Sequence, residues 1–172
     1  MISSAAFMSH QQPVIDGFEF ASAGASRRGD WPLGDFPRLR DMLAEHAGEV
    51  RYTIDGVRDE RGRPGLRVTV QGTLQLRCQR CLEAMPFEVH SDETLVLAGS
   101  VAEIHAEPAD VNAADRVVAG REMPVRDLIE DELILAVPYA PRHEGCSARL
   151  SPDAQTKTSP FACLRGLLHG KH

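Results

Sequence analysis

Hydrophobic and polar residues alternate most regularly in "LRVTVQGTLQLRC". Leu66, Val68, Val70, Leu74, Leu76 and Cys78 share one parity, and Arg67, Thr69, Gln71, Thr73, Gln75 and Arg77 share the other. A period of two with one apolar side predicts a half-buried strand with a wet face. "EVRYTIDGV" alternates as well, with Val50, Tyr52 and Ile54 on one face, and the polar turn "RDERGRPG" joins the two runs. A further run, "FEVHSDETLVLAG", sets Phe87, Val89, Leu95 and Leu97 on one side, and "RVVAG" reads as one more short strand. These runs predict an antiparallel β-meander.

Two segments carry the helical period instead. In "GDFPRLRDMLAEHAG", Leu39, Met42 and Leu43 fall at helical spacing and Gly48 is placed to end a short helix. "MPVRDLIEDELILAVPYAP" predicts the long helix, opened by Pro124 and stopped by Pro138. Val125, Leu128, Ile129, Leu133, Ala136 and Val137 form its apolar stripe. Asp127, Glu130 and Asp131 lie off that stripe on a solvated face, and Glu132 lies nearest its edge. The acidic, aperiodic segment 99–115 reads as a loop, and "PFACLRGLL" as a short C-terminal amphipathic piece. The predicted fold class is α+β: an antiparallel meander packed against one long helix in the C-terminal half, with short N- and C-terminal helices.

The chain of 172 residues is of a size for one domain with a full core, and residues 1–25 and 147–159 are expected to be mobile. The beginning has no basic, apolar signal-like run, and no stretch is apolar over the length of a membrane span. A cytoplasmic location is expected, with the four cysteines reduced and no disulfide framework. The net charge of −6 argues against indiscriminate binding to nucleic acid. It is unevenly spread, because residues 26–81 hold eleven arginines against eight carboxylates while the remainder is acidic. A basic face offered to a polyanion and scattered solvated charge both fit that distribution.

Candidate chemistry gathers at "CQRC". Cys78 and Cys81 have the spacing of a metal knuckle, and "HEGC" repeats it with His143 and Cys146. Together they supply a Cys3His set suited to tetrahedral zinc. The redox reading of the CxxC is disfavoured, because a redox pair sits at a helix N-terminus and a strand-like run with Pro86 follows here. Inert thiols beside a turn remain the third reading. Cys163 has an apolar helical setting and reads as a small core residue. The seven histidines share no spacing, and no phosphate loop, HExxH or GxSxG is present, so no enzyme activity is expected.

"CQRCLEAMPFEV", "LIEDELILAVPYAPRHEGC" and "SPFACLRGLL", in that order, resemble the YceD family of large ribosomal RNA subunit accumulation proteins. Cys78, Arg80, Cys81, Glu130, Asp131, Glu132, Pro138, His143, Cys146, Pro160, Phe161 and Ala162 carry the likeness, over roughly residues 48–98 and 116–168. Ser159 departs from the usual Asn, and Cys163 occupies an apolar position of the motif. The resemblance implies a non-enzymatic factor in the synthesis, processing or stability of large-subunit 23S ribosomal RNA. Its partners would be that RNA or precursor ribosomal particles. On the wet strand face Arg67 and Arg77, together with Arg80 at the turn, are the expected RNA contacts, with Gln71, Thr73 and Gln75 beside them. That face lacks aromatic residues for stacking bases, which favours recognition of shape or backbone. The rival readings are an adaptor whose acidic region meets a basic ribosomal protein around a structural metal, and a thiol oxidoreductase.

Overall fold

The computed structural model describes residues 12–106 and 114–146. Three long strands carry the architecture: β4 (Glu49–Arg58), β5 (Pro64–Arg77) and β6 (Ala84–Ala98), following the shorter β1 (Val14–Ile15), β2 (Ser26–Pro32) and β3 (Leu43–Glu45). They pair antiparallel in chain order, β4 with β5 from Val50 opposite Gly72, and β5 with β6 from Gly65 opposite Val96 to Arg77 opposite Ala84. β2 extends the sheet beyond β4, and β3 pairs with the far end of β5. On the other side β7 (Arg116–Val118) lies parallel to β6, a departure from the antiparallel pattern. A parallel neighbour requires a crossover, and α2 (Val101–Ala106) lies in that connection.

The parity of β5 decides which side is core. Leu66, Val68, Val70, Leu74, Leu76 and Cys78 have no exposed surface, as have Val50 and Ile54 of β4. Across this apolar face lies α3 (Val125–Ala136), whose Ile129 and Leu133 are fully buried in the same core and whose Leu128 packs at its margin. The N-terminus of α3 is held by β8 (Met123–Pro124), which pairs with β1, and by the Val125 N–H donating to the Pro13 carbonyl at 2.9 Å.

Residues 12–25 belong to the stretch expected to be mobile; they hold β1 and α1 (Gly17–Ser22). Asp16 caps α1 by accepting from the Glu19 N–H at 3.0 Å, and Ala21 is buried. Gly56 of β4 lets α1 approach, because a Cβ there would run into the Phe20 carbonyl and the Ala21 Cα. Residues 1–11, the segment 147–159 and the predicted C-terminal helix with Cys163 lie outside the described residues.

Three expectations need correction. The helix expected over 34–48 is absent: two 3-10 turns, Leu33–Asp35 and Arg40–Met42, lead into β3. Leu39 and Leu43 are nevertheless buried, so the apolar spacing is real but a compact turn satisfies it. Pro37 has no N–H to give to an α-helical ladder, and the N–H groups of Arg38 and Leu39 are taken by a carboxylate from α3. That carboxylate belongs to Glu130, which is 1% exposed and not on a solvated face. It accepts from Arg38 N at 2.6 Å, Leu39 N at 3.1 Å and Arg38 Nε at 3.0 Å. Within the loop expected over 99–115, Ser100 and Glu103 open α2 instead. The Glu103 N–H donates to Ser100 Oγ, and the Glu103 carboxylate accepts from the Gly99 N–H at 2.8 Å.

Candidate metal centre

β5 keeps its parity to its end, and that alone buries Cys78 on the core side of the sheet. The chain then reverses within five residues. The Leu82 N–H donates to the Cys78 carbonyl at 2.9 Å, and the Cys78 N–H donates to the Glu83 carbonyl at 2.9 Å. The reversal puts Leu82 at φ 63, a left-handed conformation costly for a branched side chain, on a residue that is 67% exposed.

The second half of the centre comes from the exit of α3. After Pro138 the chain turns back so that the Pro141 carbonyl accepts the Gln79 N–H at 2.8 Å. Gly145, at φ 68, forms a second tight turn in which the Cys146 N–H donates to the His143 carbonyl at 3.3 Å. The Arg80 guanidinium donates to the Cys146 carbonyl, tying the two turns together.

Cys78, Cys81, His143 and Cys146 converge, with one donor atom from each lying within 4.8 Å of the others. The Sγ atoms of Cys78 and Cys146 are 3.9 Å apart, and Cys81 Sγ lies 3.5 Å from His143 Nδ1. A tetrahedral ion with bonds of ~2.3 Å to sulfur and ~2.0 Å to nitrogen needs edges of about 3.8 Å between sulfurs and about 3.5 Å between sulfur and nitrogen. The Cys78–Cys146 and Cys81–His143 separations match those edges, and the other separations stay within 4.8 Å. His143 Nε2 lies 3.2 Å from the Ala84 carbonyl, which accepts and cannot donate. Nε2 therefore donates to that carbonyl, and Nδ1 is the ring nitrogen that faces the thiols, the arrangement of a metal-bound histidine with its outer hydrogen bond.

The backbone N–H of Cys81, followed by those of Arg80 and His143, points at Cys78 Sγ and holds that thiol down to about 5 against the opposing effect of burial. A thiolate stabilised by peptide N–H groups is the form a metal takes. Burial, with the neighbouring Cys81 and Cys78 thiols, pushes Cys146 up to about 11. A cation between them would reverse that, since a coordinated thiol is deprotonated. The group could hold a metal ion, and its three sulfurs and one nitrogen suit zinc.

The expected RNA contacts are not brought together. Arg77 and Arg80 flank the metal centre, but Arg67 lies ten residues back along β5, about 33 Å away at the rise of a strand. Arg67 is also engaged, with its Nε 2.7 Å and its Nη2 2.5 Å from the Asp92 carboxylate, and this pairing lowers the Asp92 carboxyl. Between the two ends an open depression of about 340 Å³ is lined by Asp30, Glu49, Arg51, Gln71 and Thr73. Its Arg51 pairs with Asp30 at 3.3 Å, so Glu49 leaves it negative and poorly suited to phosphate. The single sequence signalled neither the Arg67–Asp92 pair nor the burial of Glu130.

Residues 66–168 match the family described as large ribosomal RNA subunit accumulation protein YceD. The chain belongs to this family. The match contains both halves of the Cys3His group, β5 from Leu66 onward, and all of β6 and α3. The YceD family name ties the chain to the accumulation of large-subunit ribosomal RNA. No solved structure matches the chain. Among the described residues, no helix is long and apolar enough to cross a membrane.

Proposed function

We propose that this YceD-family chain is a non-enzymatic cytoplasmic factor in the synthesis, processing or stability of 23S ribosomal RNA. It acts in large-subunit assembly by contacting that RNA or a precursor particle. The convergence of two turns on one Cys3His group, with exposed Arg77 and Arg80 on the first turn, carries this reading. In this role a zinc ion is structural. Cys78, Cys81, His143 and Cys146 would hold it, and the ion would cross-link the end of β5 to the exit of α3. All four positions are used by protein ligands, so no open position remains for substrate or water. The arginines supply phosphate contacts, and Arg67 extends the contact along the wet face when RNA displaces Asp92.

Crosslinking the protein to RNA in cells and sequencing the attached RNA tests this reading. Enrichment of 23S segments is expected, and RNA recovery at background level refutes direct contact. In vitro, replacing Arg77 and Arg80 with Ala is expected to weaken binding and its salt dependence more than Arg67→Ala does. Zinc content is checked in parallel, because Arg80 also braces Cys146.

A second reading is favoured by the exposed Glu88 on the wet face of β6 and by the negative depression on the sheet. Here the acidic side meets a basic ribosomal protein, and the chain acts as an adaptor with the same structural metal. Protein crosslinks without RNA crosslinks would select it.

A further inference from the structure

Tyr139 is fully exposed, and it stands in "PYAP", where prolines on both sides restrict the backbone that carries it. Two residues later the Pro141 carbonyl is bound to the Gln79 N–H of the CxxC turn. The ring therefore stands in solvent two residues from a segment anchored to the CxxC turn. Three exposed arginines lie within two residues of the bonded Gln79–Pro141 pair: Arg77 on the wet face at the end of β5, Arg80 within the turn, and Arg142 between Pro141 and His143. Neither Arg77 nor Arg142 has an ion-pair partner among the described residues. Arg80 spends one donor on the Cys146 carbonyl and has others left. Glu83 and Glu144 are the carboxylates on the same turns, so the surface is net positive within an acidic chain.

We propose that this surface binds single-stranded RNA by stacking an unpaired base on Tyr139, while Arg77, Arg80 and Arg142 hold the flanking phosphates. The inference rests on the RNA-contact reading and adds the strandedness of the target and the residue that recognises a base. An exposed aromatic face within a few residues of guanidinium groups with donors to spare suits a splayed-out base, since the ring takes its π-face and the arginines its backbone. A rigid duplex keeps its bases stacked and offers Tyr139 nothing. The sheet supplies no such platform: its central depression is negative, and Arg67 at its far end is already paired.

The test uses the full zinc-loaded chain and three 12-nucleotide probes: a single-stranded adenine-rich RNA, the same RNA in a duplex, and an abasic strand of equal charge. Fluorescence anisotropy should show the single strand binding tightest. Tyr139→Ala should weaken it about 5- to 100-fold, with Tyr139→Phe within about two-fold of the original chain. Arg142→Ala should lower the salt slope by about 0.7, one phosphate contact on a single strand. Equal affinity for the abasic strand, or an unchanged Tyr139→Ala, would overturn the stacking role while leaving 23S crosslinks in cells intact. Failure to bind any RNA probe, with binding to a purified basic ribosomal protein, would overturn both this proposal and the RNA reading beneath it.

Discussion

Replacing Glu130 tests how the N-terminal third is fastened to the rest of the molecule. Its carboxylate is 1% exposed and accepts from two backbone N–H groups, of which Leu39 N is buried, and from the Arg38 guanidinium. In Glu130→Ala both amides lose their acceptor, at about 1–3 kcal/mol for each one that water cannot reach. Arg38 is half exposed and retains Asp131 at 2.6 Å, so the loss on its side is small. The expected destabilisation is about 2–4 kcal/mol, from one buried amide and one partly buried amide left without an acceptor. Glu130→Gln keeps one carbonyl oxygen for the two amides but turns an NH2 toward Arg38, and about 1–2 kcal/mol is expected. Urea unfolding followed by Trp31 fluorescence is the assay. Trp31 is the only tryptophan, and it stacks on Tyr52 at 5.3 Å and meets Phe36 edge-on at 6.1 Å, beside the fastened segment. A cost below about 1 kcal/mol for Glu130→Ala, or equal costs for Ala and Gln, would refute the reasoning.

Leu133→Ala should cost about 2–5 kcal/mol in the same assay, since Leu133 has no exposed surface in the core between α3 and the sheet. Burial raises the Glu132 carboxyl above its ordinary value, although Ser91 Oγ donates to it at 2.9 Å. Folding therefore takes up a proton there, so the associated stability is present below the unfolded glutamate pKa and is lost as pH rises through the folded one. Glu132→Gln should be more stable than the original chain at neutral pH, with the difference closing in acid; a constant difference from pH 3 to 8 would contradict this. Protein purified without added metal should contain close to one zinc per chain by elemental analysis, a strong chelator should lower its thermal midpoint, and Cys81→Ser should lack both the metal and the chelator effect.

The central strands were legible because alternation is a direct consequence of a sheet with one covered face. Every even position from Leu66 to Cys78 that carries an apolar side chain proved fully buried. β2 was not legible: it is an edge strand with exposed side chains on both faces, so "SRRGDWP" shows no alternation. The segment 34–48 misled because residues four apart come together on a helix and also across a pair of tight turns, and only Pro37 separated the two. The metal group was legible as a spacing but not as a place. The sequence gives the two x2 pairs, whereas their meeting depends on Pro141 docking on Gln79. Arg67 and Arg77 share a strand face, and a shared face says nothing of the distance along it or of a carboxylate on the next strand.

Glu130 lies 92 positions after Arg38, and β8 lies over a hundred after β1. During synthesis the amides of Arg38 and Leu39 emerge long before the acceptor that will satisfy them, and the first strand waits for a partner made near the end. β2 and β4 can pair early, but β1 and the segment around Arg38 and Leu39 have no completed structure to enter until α3 is made. Closing such distant contacts carries a loop entropy that local pairing does not, so the three-strand meander is placed to form first and α3 to lock the early residues last. A chain stalled before residue 130 would leave Leu33, Phe36 and Leu39 without their fastening, as a sticky surface suited to chaperones.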